Sequence, residues 1–250
     1  MINAQNLVEE GLQVEWKSAN STQILEAQKL KLERQLSGQQ FQLMQQEVDK
    51  ELQQGIIKEV SQEEVAFFNP CFLKPKKNTQ ELRKIMDCTL IDSQIQDIRF
   101  KMEDLSTVRQ LLQTGDFAST IDIKSAYSHV PVSKNLQPYL SFCFNNKCYS
   151  YIAMPFGIKS APRTFTKILR PVLAYIRSKL NLRSVAYIDD ILLLDQNRTL
   201  LQQKTNQVLN LLTNLGWIIS YKKCHLTPQH QFSFLGWNFD AQLMKVQCTE

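Results

Sequence analysis

Two adjacent acids interrupt an apolar run in the stretch Val185-Ala186-Tyr187-Ile188-Asp189-Asp190-Ile191-Leu192-Leu193-Leu194. Continuous apolar runs are typical of β-strands that are covered on both faces, so the flanks predict a buried β-hairpin. The hairpin alone does not explain the acids at its tip, because crowded carboxylates repel one another unless a cation lies between them. The stretch therefore predicts a tight turn that presents Asp189 and Asp190 to a divalent metal ion.

A second acid at the end of an apolar strand is the predicted partner of this turn. Residues 117–123 have the character of a strand, and Asp122 lies near its end, 67 residues before Asp189 (189 − 122). If the two strands are neighbours in one sheet, the two carboxylates lie side by side. Such a pair can hold two Mg²⁺ ions about 3.5–4 Å apart for in-line phosphoryl transfer. A lone acid at a strand end is usually a cap or turn residue, and only the two motifs together favour a metal site.

The bulk composition is that of an ordinary globular protein. The chain has 250 residues, of which 43% are hydrophobic and 21% are charged, with a net charge of +5 that permits a polyanionic partner without arguing for one. The six cysteines form no C-x-x-C pair, which predicts free thiols in a reducing compartment. No apolar run approaches the roughly 18 residues of a membrane span, and the N-terminus lacks a signal core. We therefore expect an intracellular protein, cytoplasmic or nuclear, that is neither secreted nor membrane-bound.

The order of the predicted elements favours an α+β fold, with helices packed on one face of an antiparallel sheet. Residues 1–53 predict an N-terminal helical extension, in which Asn20 with Gln23 and Ser37 with Gln40 have the spacing of capping boxes. This extension either packs on the main body or presents a helix to a partner, and the first interpretation is favoured. Further along, the pattern predicts a helix over 104–114, a hairpin at 140–153, a helix over 165–176 kinked at Pro171, a helix over 201–215, and strands at 217–221 and 232–239.

Several motifs, in order along residues 45–245, resemble those of reverse transcriptases. The Y-x-D-D box alone is a moderate signal, but six motifs in the family's order are a strong one. The matching stretches are Leu73 to Lys77 with Leu82 to Asp87, Asp122 to Tyr127 (D-x-x-x-A-Y), Met154 to Pro162 (P-x-G…P), Tyr187 to Asp190, Leu215 to Cys224 (G…K) and Phe234 to Trp237. The resemblance implies a right-hand polymerase fold, with fingers at 54–115 and 131–153 and a palm at 116–130 and 154–250.

In detail the chain resembles retrotransposon enzymes, especially those of DIRS-type elements, the tyrosine-recombinase retrotransposons. Retroviral enzymes usually carry Gln where Phe156 stands, which argues against a retrovirus but not against activity. The supporting stretches are Tyr139 to Phe142, Pro155 to Gly157, Ser160 to Pro162, Ala174 to Ser178 and Leu226 to Pro228.

The resemblance implies an RNA-directed DNA polymerase, in which a primer 3′-hydroxyl attacks the α-phosphate of a dNTP and releases pyrophosphate. Asp122 and Asp189 would ligate two Mg²⁺ ions, or Mn²⁺ in their place, with Asp190 assisting. Lys222 or Lys223 would protonate the pyrophosphate as a general acid, although each could instead be an ordinary surface lysine. The partners implied are an RNA template, a DNA primer and a dNTP.

The resemblance also assigns a nucleotide-binding set. Lys76 and Arg83 would hold the triphosphate, as cations clamp phosphates in other transferases. Tyr127 would lie under the sugar and exclude a ribose 2′-hydroxyl, and Phe156 and Gly157 would contact the nucleotide. The alternatives are a solvated turn lysine for Lys76, a strand ion pair for Arg83, a core aromatic for Tyr127 and a simple turn for Gly157.

Template and primer contacts follow from the same resemblance. They would be made by Pro162, Tyr187, Leu235, Gly236 and Trp237. Pro162 has a structural alternative, since proline is frequent in the first turn of a helix.

The chain ends at Glu250, just past the predicted primer hairpin. We therefore expect fingers and palm without a thumb, with the thumb and RNase H portions supplied by a longer polyprotein. The alternative is a truncated or domesticated reverse-transcriptase-like protein that binds nucleic acid or a protein partner without polymerising. A two-metal nuclease would need a further acid cluster, which the sequence does not show.

Overall fold

The computed structural model describes residues 9–31, 36–75 and 82–249. Lys76 and the side chain of Arg83, both predicted to bind the triphosphate, lie outside the described residues. The chain divides into two compact units: Met1–Arg99 with Tyr127–Thr164, and Phe100–Ala126 with Phe165–Glu250. The extension, fingers and palm ranges stay a prediction, because compactness alone does not assign those names. Among the described residues, no helix is long and apolar enough to cross a membrane.

Helices and short antiparallel strands alternate along the described chain. In order they are α1 (Ser21–Ala27), α2 (Gly38–Gln53), β1 (Ile57–Val60), β2 (Cys71–Pro75), β3 (Leu82–Met86), α3 (Thr89–Gln94), α4 (Leu105–Leu111), β4 (Phe117–Asp122), β5 (Ser141–Phe144), β6 (Lys147–Tyr151), α5 (Ala161–Lys179), β7 (Arg183–Tyr187), β8 (Asp190–Asp195), α6 (Arg198–Asn214), β9 (His225–Gln229), β10 (Gln231–Phe234), β11 (Trp237–Asp240) and β12 (Lys245–Cys248).

The first unit is built on a three-stranded sheet in the order β1-β6-β5, accompanied by the two-stranded pair β2-β3. The predicted hairpin between β5 and β6 is confirmed, and Cys143 faces Cys148 across it. Its turn residues Asn145 and Asn146 have φ angles of 52° and 59°, the left-handed conformation that asparagine tolerates best after glycine.

Helix α2 packs on the body of the first unit. Its buried residues Met44 and Val48 lie one turn apart, and the helix contacts β1, β2 and β3. The capping box of Ser37 and Gln40 is present, as predicted. The second predicted box is wrong, because Asn20 makes no side-chain hydrogen bond at the start of α1.

The second unit is built on a four-stranded antiparallel sheet in the order β7-β8-β4-β9 and a three-stranded sheet in the order β10-β11-β12. Helix α6 contacts β4, β8 and β9, while α4 contacts β7. All four residues Ile191 to Leu194 of β8 are buried. Leu192 and Leu194 belong to a core cluster with residues of α4, β10 and β11, and strand alternation turns Ile191 and Leu193 to the opposite face. The predicted coverage of this strand on both faces is therefore confirmed.

One prediction for the C-terminal third is wrong, and one strand there was not predicted. Residues 217–221 form only an isolated bridge, between Ile219 and Ile123, rather than a strand. Strand β9 was missed because Pro228 argues against a strand from sequence alone. Proline is tolerated there because β9 is the edge of its sheet and its pairing with β4 is irregular.

Helix α5 continues through Pro171.

Candidate active site

The predicted acids converge at the end of two neighbouring strands of the second unit. Strands β4 and β8 are antiparallel partners, and Asp122 faces Asp190 in their register. The amide of Ile123 donates a hydrogen bond to the carbonyl of Asp189 at 2.9 Å. The expectation that adjacent strands bring Asp122 to the acid pair is therefore confirmed, while the catalytic role of these residues stays a prediction.

The turn that carries the acid pair is strained. Tyr187 and Asp190 are register partners, so the turn consists of Ile188 and Asp189 alone. Ile188 has a φ of 54°, a conformation that costs a side-chain-bearing residue roughly 1–2 kcal/mol and is an outlier for a β-branched one. A positive φ at only the first central residue is the pattern of a type II′ turn, which glycine ordinarily fills. Such strain is found where the surrounding structure fixes a functional geometry.

The carboxylates differ in their partners. Asp122 is 7% exposed, its Oδ1 is buried without a hydrogen-bond partner, and its Oδ2 accepts a hydrogen bond from Lys223 Nζ at 3.1 Å. Burial, followed by repulsion from Asp189 and Asp122, raises the pKa of Asp190 to about 6. Burial also raises the pKa of Asp189, with a smaller contribution from Asp122. The two acids of the turn, Asp189 and Asp190, are therefore harder to ionise than an exposed aspartate.

The loop after α6 encloses Asp122. The amide of Ser220 donates to the carbonyl of Asp122 at 2.9 Å, and Cys224 Sγ accepts from the amide of Asp122 at 3.3 Å. Lys223, rather than Lys222, reaches the carboxylate, while the general-acid role of either lysine stays a prediction. Cys224 and Ser220 were missed as supporting residues, because nothing in the sequence pairs them with an acid about a hundred positions upstream.

The donor set fits a hard divalent cation. Mg²⁺ prefers carboxylate oxygens, and the orphaned Oδ1 of Asp122 is an acceptor that the protein itself does not satisfy. Within the described residues no group of three or more His, Cys, Asp or Glu side chains is placed to hold a metal ion without further ligands. Asp122 and Asp190 are register partners, and the positive charge that contacts this group of acids is the ammonium group of Lys223, on Asp122.

Two predicted nucleotide-binding residues stack in the first unit. The rings of Tyr127 and Phe156 are 4.7 Å apart at an angle of 43°. Tyr127 is buried, whereas Phe156 is 56% exposed and presents a free aromatic surface to solvent. The burial of Tyr127 is compatible with both predicted roles, exclusion of a ribose 2′-hydroxyl and packing as a core aromatic.

Gly157 lies where no other residue fits. Its φ is 115°, and an added Cβ would lie 2.7 Å from the carbonyl oxygen of Met86. The P-x-G loop therefore approaches the end of β3 at backbone contact, on the strand that also contains Arg83. Pro162 lies in the first turn of α5, the position its structural alternative predicts.

The predicted primer hairpin is formed by β10 and β11 in the second unit. Leu235 and Gly236 make its two-residue turn, with φ angles of 51° and 76°. Leu235 and Trp237 pack against the core cluster of this unit. The hairpin thus contacts the core of this unit through residues at its turn.

Solved structures share this fold. A foamy viral protease-reverse transcriptase, in complex with double-stranded DNA, superposes with a TM-score of 0.75 at 21% identity over 95% of this chain and 40% of that one. Another structure of a foamy viral protease-reverse transcriptase, in complex with an RNA/DNA hybrid, gives a TM-score of 0.73 at 21% identity over 85% of this chain and 28% of that one. The fold is therefore the α+β palm and fingers of a polymerase, as predicted.

Sequence comparison identifies the protein family to which the chain belongs. The family model described as "Reverse transcriptase (RNA-dependent DNA polymerase)" matches residues 74–239, more than half of the chain, so the protein belongs to this family. Protein P of duck hepatitis B virus is 25% identical over 177 residues, which are 70% of this chain and 21% of that protein. The genome polyprotein of Petunia vein clearing virus is 29% identical over 163 residues, 64% of this chain and 7% of that protein. The chain thus spans about a fifth or less of these relatives.

Proposed function

We propose that the chain is the core of an RNA-directed DNA polymerase that transfers nucleotides from dNTPs to a primer 3′-hydroxyl. The observation that supports this most directly is the meeting of Asp122 with Asp189 and Asp190, with one oxygen of Asp122 left buried and unpartnered. Unsatisfied buried acceptors at the end of a strand pair are costly in a purely structural role.

In this proposal Asp122 and Asp189 hold two Mg²⁺ ions, or Mn²⁺, and Asp190 assists. When bound, the ions activate the attacking hydroxyl and neutralise the leaving pyrophosphate. Lys223 is the general acid, because its ammonium group, protonated at neutral pH as lysines are, lies 3.1 Å from Asp122 in the group of acids. It can then give a proton to the pyrophosphate.

The other proposed site residues bind either the incoming nucleotide or the template and primer. Lys76 and Arg83 bind the triphosphate, Tyr127 excludes the ribose 2′-hydroxyl, and Phe156 and Gly157 face the nucleotide. The RNA template and DNA primer are bound by Pro162, Tyr187, Leu235, Gly236 and Trp237. We further propose a DIRS-type retrotransposon as the source element, on the stretches around Tyr139 to Phe142 and Leu226 to Pro228.

The decisive experiment compares Asp189→Asn with Asp49→Asn, a change of the same kind on the exposed surface of α2. Extension of a DNA primer on an RNA template with Mg²⁺ should fall at least about 10³-fold in the first variant and stay within about twofold in the second. Unchanged extension by Asp189→Asn would overturn the assignment. Template binding without incorporation by the unaltered chain would favour a protein that binds nucleic acid without polymerising.

A further inference from the structure

Lys84 of β3 carries a buried ammonium group in the first unit. Its side chain is 1% exposed and forms an ion pair with Glu51, near the C-terminal end of α2. Its Nζ lies 3.9 Å from the centre of the Phe142 ring on β5 and 5.0 Å from that of Tyr151 on β6. These four residues, the Lys84 cluster, bring four separate elements of the unit to one cation.

The two charges of the Lys84 cluster stabilise the fold only when both are present. Burying an ion pair is costly unless hydrogen bonds and nearby dipoles satisfy both charges. Here the ring faces attract the ammonium group, and the hydroxyl of Tyr151 donates a hydrogen bond to Glu51. Loss of Glu51 would leave Lys84 charged, buried and without its anion.

The strand that carries Lys84 belongs to a two-stranded hairpin that packs on α2. Within the described residues, strands β2 and β3 pair with each other alone and belong to no larger sheet. A two-stranded hairpin is marginal by itself, so its position depends on what it packs against. Through Lys84 the hairpin is tied to α2 and to the β5–β6 hairpin. The residue before Lys84 on β3 is Arg83, which is the register partner of Lys74 near the end of β2.

We propose that Glu51 is a positioning residue for the incoming nucleotide, which acts by holding Lys84 and so fixing the β2–β3 hairpin on which Arg83 lies. This inference rests on the proposed polymerase function. Glu51 precedes the residues 74–239 that match the family, so the N-terminal helix α2 becomes part of the nucleotide-binding apparatus.

The kinetic test uses the full chain with Glu51→Gln, and Glu47→Gln as the matched control. Glu47 lies on the same helix and pairs with Lys50 at 3.2 Å on the solvent side. We expect Glu51→Gln to raise the KM for dNTP about tenfold, with kcat and primer–template affinity within about twofold of the unaltered chain. Glu47→Gln should change none of the three.

Hydrogen exchange provides a second readout that does not depend on catalysis. Amides of residues 71–74 and 82–86 should exchange about tenfold faster in Glu51→Gln. In the double variant Glu51→Leu/Lys84→Met, which replaces both charges by apolar groups, protection and KM should return toward the unaltered values. Restored protection with a KM that stays raised would contradict a positioning role.

The outcomes separate this inference from the polymerase proposal. Unchanged KM and unchanged exchange in Glu51→Gln would overturn the inference alone. An equal fall in kcat, dNTP affinity, primer binding and thermal stability would also overturn it, because Glu51 would then only support the fold. If the unaltered chain incorporates no dNTP, the polymerase proposal fails, and the exchange data still decide whether Glu51 fixes the hairpin.

Discussion

The ammonium group of Lys223 lies 3.1 Å from one carboxylate oxygen of Asp122, while the other oxygen of the same group has no partner. The lysine side chain is mostly exposed and the acid is buried, so the contact reaches inward from solvent. Lys223 makes this contact with Asp122 and its neighbour Lys222 does not, so the general-acid assignment can be tested by replacing each lysine in turn.

Replacement of Lys223 by glutamine should lower the single-turnover rate of primer extension about 10²-fold, within the range of general-acid contributions. Lys222→Gln, on the same loop, should stay within about twofold. The pH–rate profile of Lys223→Gln should also lose the fall at high pH that deprotonation of the lysine produces. Equal effects of the two changes would contradict the assignment.

The stability of the protein without added metal should depend on Asp190. Its pKa is about 6 in the folded chain against an ordinary 3.8, so the folded state binds more protons than the unfolded state between these values. The free energy of unfolding therefore increases as the pH falls from about 6 toward 3.8, and it decreases as the pH rises through the same range. Because the side chain is only half-buried, solvent screening reduces the effect to about 1 kcal/mol between pH 7 and pH 4.

Urea denaturation in EDTA at the two pH values measures this dependence. Asp190→Asn should be about 1 kcal/mol more stable than the unaltered chain at pH 7 and nearly equal to it at pH 4. A variant whose advantage is the same at both pH values would show that charge is not the cause.

A methyl group at position 157 should be poorly tolerated. Gly157→Ala combines a φ of 115° with a Cβ 2.7 Å from the Met86 oxygen, and we expect a loss of about 2–4 kcal/mol in the free energy of unfolding. Gly38→Ala is the control, since an added Cβ there meets nothing within 4 Å. It lies at the start of α2, where alanine should be neutral or stabilise by up to about 1 kcal/mol. Similar losses at both positions would refute the close-contact explanation.

The stack of Tyr127 on Phe156 should govern sugar selection. Tyr127→Ala should raise the kcat/KM for ribonucleotides relative to deoxyribonucleotides at least about tenfold, because the ring no longer occupies the space of a 2′-hydroxyl. Tyr175→Ala removes an exposed tyrosine of α5 and serves as the control. If selection is unchanged while stability falls, Tyr127 is only a core aromatic.

The acid pair and its strands were predictable because their signal is local. Two acids in an apolar run, and a third at the end of another apolar strand, are visible without any contact information. The register that sets Asp122 opposite Asp190 joins residues 68 positions apart (190 − 122), and from the sequence alone the pairing of these two strands was only an assumption.

Other features depend on contacts that the sequence does not display. One such contact is that of Cys224 with the amide of Asp122, and another is that of Glu51 with Lys84. The residues of each pair are far apart in the chain, and no sequence spacing predicts that they meet. The error at 217–221 has a similar origin. An apolar run there predicts a strand, but the loop is used to enclose Asp122 and leaves only one bridge at Ile219.

The position of β4 has a consequence for synthesis. It lies between β8 and β9, both of which follow it in the chain. Another 73 residues (195 − 122) must be added before β8 is complete, roughly 4–15 s at about 5–20 residues per second. During that interval both edges of β4 are open, and its apolar residues Ala118 and Ile121 lack their sheet neighbours. Nascent chains that stall before residue 195 should therefore be the aggregation-prone species, and chaperone binding should concentrate on β4.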